Sequence, residues 1–196
     1  MSAIPKKKKL TEDEYLVIEN EAVFKSEFYN GEMFAMSGAS HHHNNLQINL
    51  IVELGGRLKG GKCRVYGSDL RVKVKRTGLY TYPDVVIACD PELEKKLGVE
   101  TLLNPQVVFE ILSKSTESYD RGTKFQQFQR LPSVMEYVLV SQDRMVIERY
   151  VRQPDETWNL KTFDDPSGQF SLTTVKVKIP LADIYRDVDL SEDPLP

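Results

Sequence analysis

Asp84 and Glu110 occupy positions that are costly unless they have a use. "VVFEIL", residues 107–112, is a run of apolar, mostly β-forming residues with Glu110 inside it. In "YPDVVIAC", Asp84 opens a second apolar run. Burying an ionised carboxylate without a partner costs several kcal/mol or more. If the two strands are neighbours, the acids meet at one edge of a sheet. Two close carboxylates repel, and one stays protonated unless they share a cation. Magnesium takes oxygen ligands, usually one or two carboxylates plus waters and phosphate. Such an ion stabilises a phosphoryl transition state and lowers the pKa of bound water. The simpler alternatives are a turn role for Asp84 after Pro83, and for Glu110 an exposed strand end or a bridge to Lys114 or Arg121.

Phosphodiester hydrolysis also needs a cation near the attacking water and the phosphate. Residue 112 points to the same side of the strand as Glu110, but Leu112 stands there. The nearest candidate is Lys124, in "TESYDRGTKFQQF", with Lys114 as runner-up. A helix that packs back across the sheet brings Lys124 to the acid edge. Against this, Asp120 lies four residues earlier, at the spacing of an ordinary surface ion pair. In "HHHNN", three successive histidines on a helix point about 100° apart and cannot all bind one ion. Asp69 either joins the acid cluster or pairs with Arg71.

The elements that must position these groups follow from local signals. Thr11 and Glu14 form a capping-box pattern for a helix over about 12–19. Asn30-Gly31 marks a hairpin. Leu46, Leu50 and Leu54 lie on one face of a helix over about 40–59, which Gly60-Gly61 ends. "CRVYGSDLRVKVKR" reads as one extended strand region, and "YTYPDVVIACD" as a second strand. Residues 91–104 read as a polar loop or short helix. A helix over about 116–130 follows the Glu110 strand and stops before Pro132. "SVMEYVLVSQDRMVIERYVRQ" is two strands around Gln142-Asp143, followed by further strands and a helical turn at "LADIY". Central strands over 64–75, 82–88, 106–112 and 134–141 with helices beside them give an α/β fold with a mixed sheet.

With 196 residues, 40% apolar and 28% charged, the chain suits one domain over 11–196 after a basic tail over 1–10. It has no apolar run near the roughly 20 residues of a membrane span and no secretory h-region. Cys63 and Cys89 lack CxxC spacing and read as reduced thiols, so the expected location is cytoplasmic. The net charge of −3 does not advertise a nucleic-acid partner. However, Arg71, Lys73 and Lys75 alternate with valines, giving one basic strand face that either tracks a phosphate backbone or is simply solvated.

"YPDVVIACD" followed by "NPQVVFEILSKSTESYDRGTKFQQFQRLPSVMEYVLVSQDR", with "YNGEMFAMSG" and "CRVYGSDLRV" upstream, resembles the Uma-type family of restriction-endonuclease-like proteins. That family lies within the PD-(D/E)XK nuclease superfamily. The resemblance runs from about Tyr15 to the strands near Trp158. It implies a restriction-endonuclease-like core and magnesium-dependent hydrolysis of DNA phosphodiesters, with manganese as a substitute ion. Asp84 matches the Asp of the PD element and Glu110 the second acid. Leu112 replaces the usual lysine, and Lys124 matches a lysine moved to the following helix. His43 matches a helix-start histidine that bonds a phosphate or a site carboxylate, with Gln47 a weaker candidate one turn on. The resulting expectation is a metal held by Asp84, Glu110 and the Ile111 carbonyl, with Lys124 beside it and Arg71, Lys73 and Lys75 along the DNA. A catalytically decayed nucleic-acid- or protein-binding module and an RNA-directed or structure-specific nuclease are the alternatives. The ribbon over 134–151, apolar on both faces, has an edge that a second copy would cover, so a homodimer is expected.

Overall fold

A computed structural model describes residues 9–36 and 38–190. Most of the expected basic tail, residues 1–8, lies outside that range. Helix α1 (Glu12–Glu21) starts at the expected capping box, with Thr11 and Glu14 bonding each other's backbone. Strands β1 (Ser26–Tyr29) and β2 (Glu32–Ala35) form the hairpin. Asn30 and Gly31 both adopt positive φ, as the tight turn requires. Helix α2 (His41–Leu58) buries Leu46, Leu50 and Leu54.

The expected single sheet is two. β3 (Cys63–Gly67) and β4 (Arg71–Val74) come from one predicted strand but join different sheets. A turn that bonds Leu70 N to Gly67 O separates them. Likewise β5 (Leu79–Thr81) and β6 (Val85–Cys89) are split at Tyr82-Pro83-Asp84. Pro83 has no N–H to continue a ladder, so the chain steps from one sheet to the other there. The segment expected as a loop or helix is a hairpin, β7 (Leu93–Lys96) and β8 (Val99–Leu102). Its turn uses Leu97 at positive φ, which its residue type does not announce.

The first sheet runs β2-β1-β5-β4-β8-β7. The second contains β9 (Val107–Leu112), β10 (Glu136–Ser141), β11 (Ile147–Arg152) and β12 (Trp158–Phe163), in the order β12-β11-β10-β9-β6-β3. It is mixed, with β9 and β10 parallel and the other pairs antiparallel. One of its faces packs on α2 and on the small hairpin β13 (Gln169–Leu172) and β14 (Val177–Pro180) with helix α5 (Leu181–Ile184). Its other face packs on the first sheet and on a composite helix. That helix comprises α3 (Glu117–Tyr119), a π-turn (Asp120–Lys124) and α4 (Phe125–Gln129).

Three expectations are corrected here. Cys63 and Cys89 are not reduced thiols; they are cross-strand partners in β3 and β6, and their sulfurs are bonded. Their separation in sequence hid a pairing that the register creates. The β10–β11 ribbon also has no open edge, because β9 and β12 flank it, which removes the reason for covering it with a second copy. Finally, the supposed basic face is enclosed beneath α1. Arg71 is 1% exposed, bonds Thr101 Oγ1, and faces the Tyr15 and Tyr80 rings. Lys73 pairs with Glu12 at 2.7 Å. Only Lys75, in the turn after β4, remains exposed, so these residues do not form a track for a phosphate backbone. No helix among the described residues is long and apolar enough to cross a membrane.

Candidate active site

The split at Pro83 places Asp84 one residue before β6, where the β6–β9 register, continued by one step, sets it opposite Glu110. Its Oδ2 accepts the Ile111 N–H at 2.7 Å. The carboxylate thus bonds the backbone of β9 just where its partner strand ends. In an extended strand the N–H and C=O of one residue point to the same side, so the Ile111 carbonyl also leaves β9 on the Asp84 side. His43, in the first turn of α2, brings Nε2 to 3.2 Å from Asp84 Oδ1. Gln47, one turn on, donates to the Asp84 carbonyl at 2.7 Å. Ser40 fixes this helix end by accepting from His43 N.

Glu110 shares a face of β9 with Val108 and Leu112 and is 2% exposed. The composite helix crosses that face, held by Phe125 and Phe128 in the core. Its π-turn turns both Asp120 and Lys124 inward, and Tyr137 donates to the Asp120 carbonyl at 2.9 Å. Lys124 Nζ lies 2.9 Å from Glu110 Oε2, 3.2 Å from Glu27 Oε1 and 3.7 Å from Asp120 Oδ1. The predicted Asp120–Lys124 pair exists, but it is buried in the site and not on the surface.

Sequence reasoning missed Glu27. It alternates with Phe28 in a short hairpin strand and so reads as a solvent-facing position. The structure turns its side chain toward the composite helix, and Glu27 is 6% exposed. Thr81 donates to Glu27 Oε1, and Tyr119 donates to Oε2 at 2.8 Å. Asp69 does not join this group; it lies at the surface, paired with Lys25.

Three carboxylates (Glu27, Glu110 and Asp120) therefore surround one ammonium, and Asp84 adds a fourth negative group that acts on Glu110. Burial pushes the Glu110 pKa well above its usual value; Lys124 opposes this, while Asp120 and Asp84 add to it. Burial likewise raises Asp120. Burial would also raise Glu27, but the Lys124 charge and the bonds from Thr81 and Tyr119 outweigh it and hold that pKa low. Burial alone would lower Lys124; the charges of Glu110, Glu27 and Asp120 hold its pKa well above the ordinary 10.5. Lys124 is thus a permanent cation and not a base. Glu110 Oε1 is buried with no hydrogen-bond partner, as is His43 Nδ1. The group lines a cavity of about 640 Å³ that also takes in Phe24, Phe34 and Ser113.

Comparison with known proteins places this geometry in context. The Uma2 family model, described as "Putative restriction endonuclease", matches residues 12–182. An uncharacterized protein of Synechocystis sp. (strain ATCC 27184 / PCC 6803 / Kazusa) is 34% identical over 178 residues, covering 91% of this chain and 92% of the relative. A second uncharacterized protein of the same organism is 32% identical over 178 residues, covering 90% of this chain and 100% of the relative. A crystal structure from Anabaena variabilis ATCC 29413, titled as that of a "putative nuclease", superposes with a TM-score of 0.73 at 17% identity. It covers 90% of this chain and 97% of its own, and at that identity it shows the shared fold.

Proposed function

We propose that this chain, which belongs to the Uma2 family, is a metal-dependent nuclease that hydrolyses DNA phosphodiester bonds. The observation that carries this reading is the unpartnered Glu110 Oε1, buried beside Asp84 in a group with more negative than positive charge. A cation offsets that excess without adding a proton.

The donor set fits magnesium. Asp84, Glu110 and the Ile111 carbonyl offer oxygen only, which suits a hard ion. Among the described residues no three His, Cys, Asp or Glu side chains form a complete metal cage. Magnesium does not need one, since it keeps several waters and uses one or two carboxylates. When bound, the ion would act as a Lewis acid on phosphate oxygen and lower the pKa of a coordinated water.

The chain's own groups supply the rest. His43 and the Ile111 N–H fix the Asp84 carboxylate from two directions, which limits the reorganisation needed on binding. Lys124, held in its charged form, keeps Glu110 in place and offsets negative charge developing on the phosphate oxygens. Its arrival from the helix supplies the ammonium that Leu112 cannot. Glu27 and Asp120 anchor Lys124 in turn.

The test is Glu110→Gln, assayed for magnesium-dependent nicking of plasmid DNA and of a single strand, with circular dichroism to confirm folding. Loss of nicking in a folded variant is expected; full activity in it overturns the assignment.

A further inference from the structure

The mouth of the cavity carries an apolar rim that the chemistry above does not use. Val23 is 89% exposed and Phe24 78%, in the short link between α1 and β1. Phe34 is 49% exposed on β2. It is the cross-strand partner of Glu27, and opposed residues in an antiparallel pair share a face. The hairpin therefore presents its acid to the site and its aromatic ring to the same side at the rim. All three residues line the cavity that contains Asp84 and Glu110.

Among the described residues, the same rim is poor in free positive charge. Its lysines are Lys25, which pairs with Asp69 and donates to the Ser68 carbonyl, and the enclosed Lys124. Binding a duplex by its backbone relies on several Lys or Arg contacts to phosphate. Binding an unpaired strand also uses backbone charge, but adds aromatic side chains on which bases stack. Bases inside a duplex stack on each other and offer no free face to such a ring. The cavity, at about 640 Å³, falls in the range of small-ligand pockets, about 300–1,000 Å³, and suits a short piece of one strand.

From this we infer that the substrate is DNA with unpaired nucleotides, whose bases stack on Phe24 and Phe34 as the backbone enters the acid site. This deepens the nuclease reading and rests on it for the site. The binding measurement does not depend on turnover, so the two fail separately.

The experiment uses the full chain carrying Glu110→Gln, so that substrate stays intact. Fluorescence anisotropy compares a labelled mixed-sequence single strand with the same strand annealed to its complement. At least tenfold tighter binding of the single strand is expected. Adding Phe24→Ala or Phe34→Ala lowers that affinity about 5- to 160-fold, the loss of one stacked base, and leaves the unfolding midpoint unchanged. Equal or tighter duplex binding overturns the inference, as does single-strand affinity that neither substitution moves. A dimer seen by light scattering and dissolved by these substitutions also overturns it, because the rim is then covered by a second copy. Equal cleavage of the single strand and of its annealed duplex by the otherwise native chain removes the inference while leaving the nuclease reading standing.

Discussion

Lys124 Nζ lies 2.9 Å from Glu110 Oε2 while also reaching Glu27 Oε1 at 3.2 Å. One cation from a helix thus joins carboxylates carried by two different sheets. This relationship links the integrity of the site to the integrity of the fold.

Removing the ammonium leaves Glu27, Glu110 and Asp120 buried without compensation. Breaking a buried charge group in this way costs about 3–5 kcal/mol. Lys124→Met is expected to lose that much stability at pH 7. The loss shrinks when the pH is lowered from 7 to 4.5, the ordinary glutamate value, because Glu110 and Asp120 both have raised pKa values and take up protons as pH falls through them. Urea unfolding midpoints at the two pH values check it; a small, pH-independent change contradicts the shared-cation picture.

Glu110→Gln is expected to remove activity without lowering stability. The folded state raises the Glu110 pKa above its ordinary 4.5, so it favours the protonated form. Wild-type stability from this group is fully present below about pH 4.5 and declines as pH rises through the raised value. Glutamine carries no such dependence. The variant's melting temperature relative to wild type therefore climbs across that window, and thermal scans from pH 4 to 8 measure it. A variant that loses ground as pH rises reverses the sign and contradicts the assignment.

His43 holds Asp84 through Nε2 at 3.2 Å. Losing a group that orients a ligand typically costs about 10- to 100-fold in metal affinity or activity. His43→Ala should weaken Mn²⁺ binding by that factor in titration calorimetry, and His43→Gln, which keeps a donor, should recover part of it. Unchanged Mn²⁺ affinity in the alanine variant would show that His43 does not position Asp84.

Arg71 is a structural cation. Hydrogen bonds to a charged group are worth about 1.5–3 kcal/mol, and Arg71 bonds Thr101 while packed between Tyr15 and Tyr80. Arg71→Ala should lose about that much in chemical unfolding, yet the folded variant should bind DNA as wild type does. Normal stability with lost DNA binding would return Arg71 to a backbone-contacting role.

Much of this was legible locally. The capping box, the Asn-Gly turn, the leucine face of α2 and the acid inside "VVFEIL" each depend on neighbours within a few residues, and the sequence spells those out. Asp84 and Glu110 stood out because an acid in an apolar run needs a reason. Other features were invisible for one physical cause, since they depend on which strands become neighbours. The chain alone does not state that "CRVYGSDLRVKVKR" divides between two sheets, that Cys63 meets Cys89, or that α1 encloses Arg71. Glu27 entered the site only because a hairpin distant in sequence folds against the helix that carries Lys124. The sequence by itself determined which groups can do chemistry and which local elements carry them. Tertiary packing decided which of those groups meet, because burial and charge pairing are properties of the assembled sheets and not of any single strand.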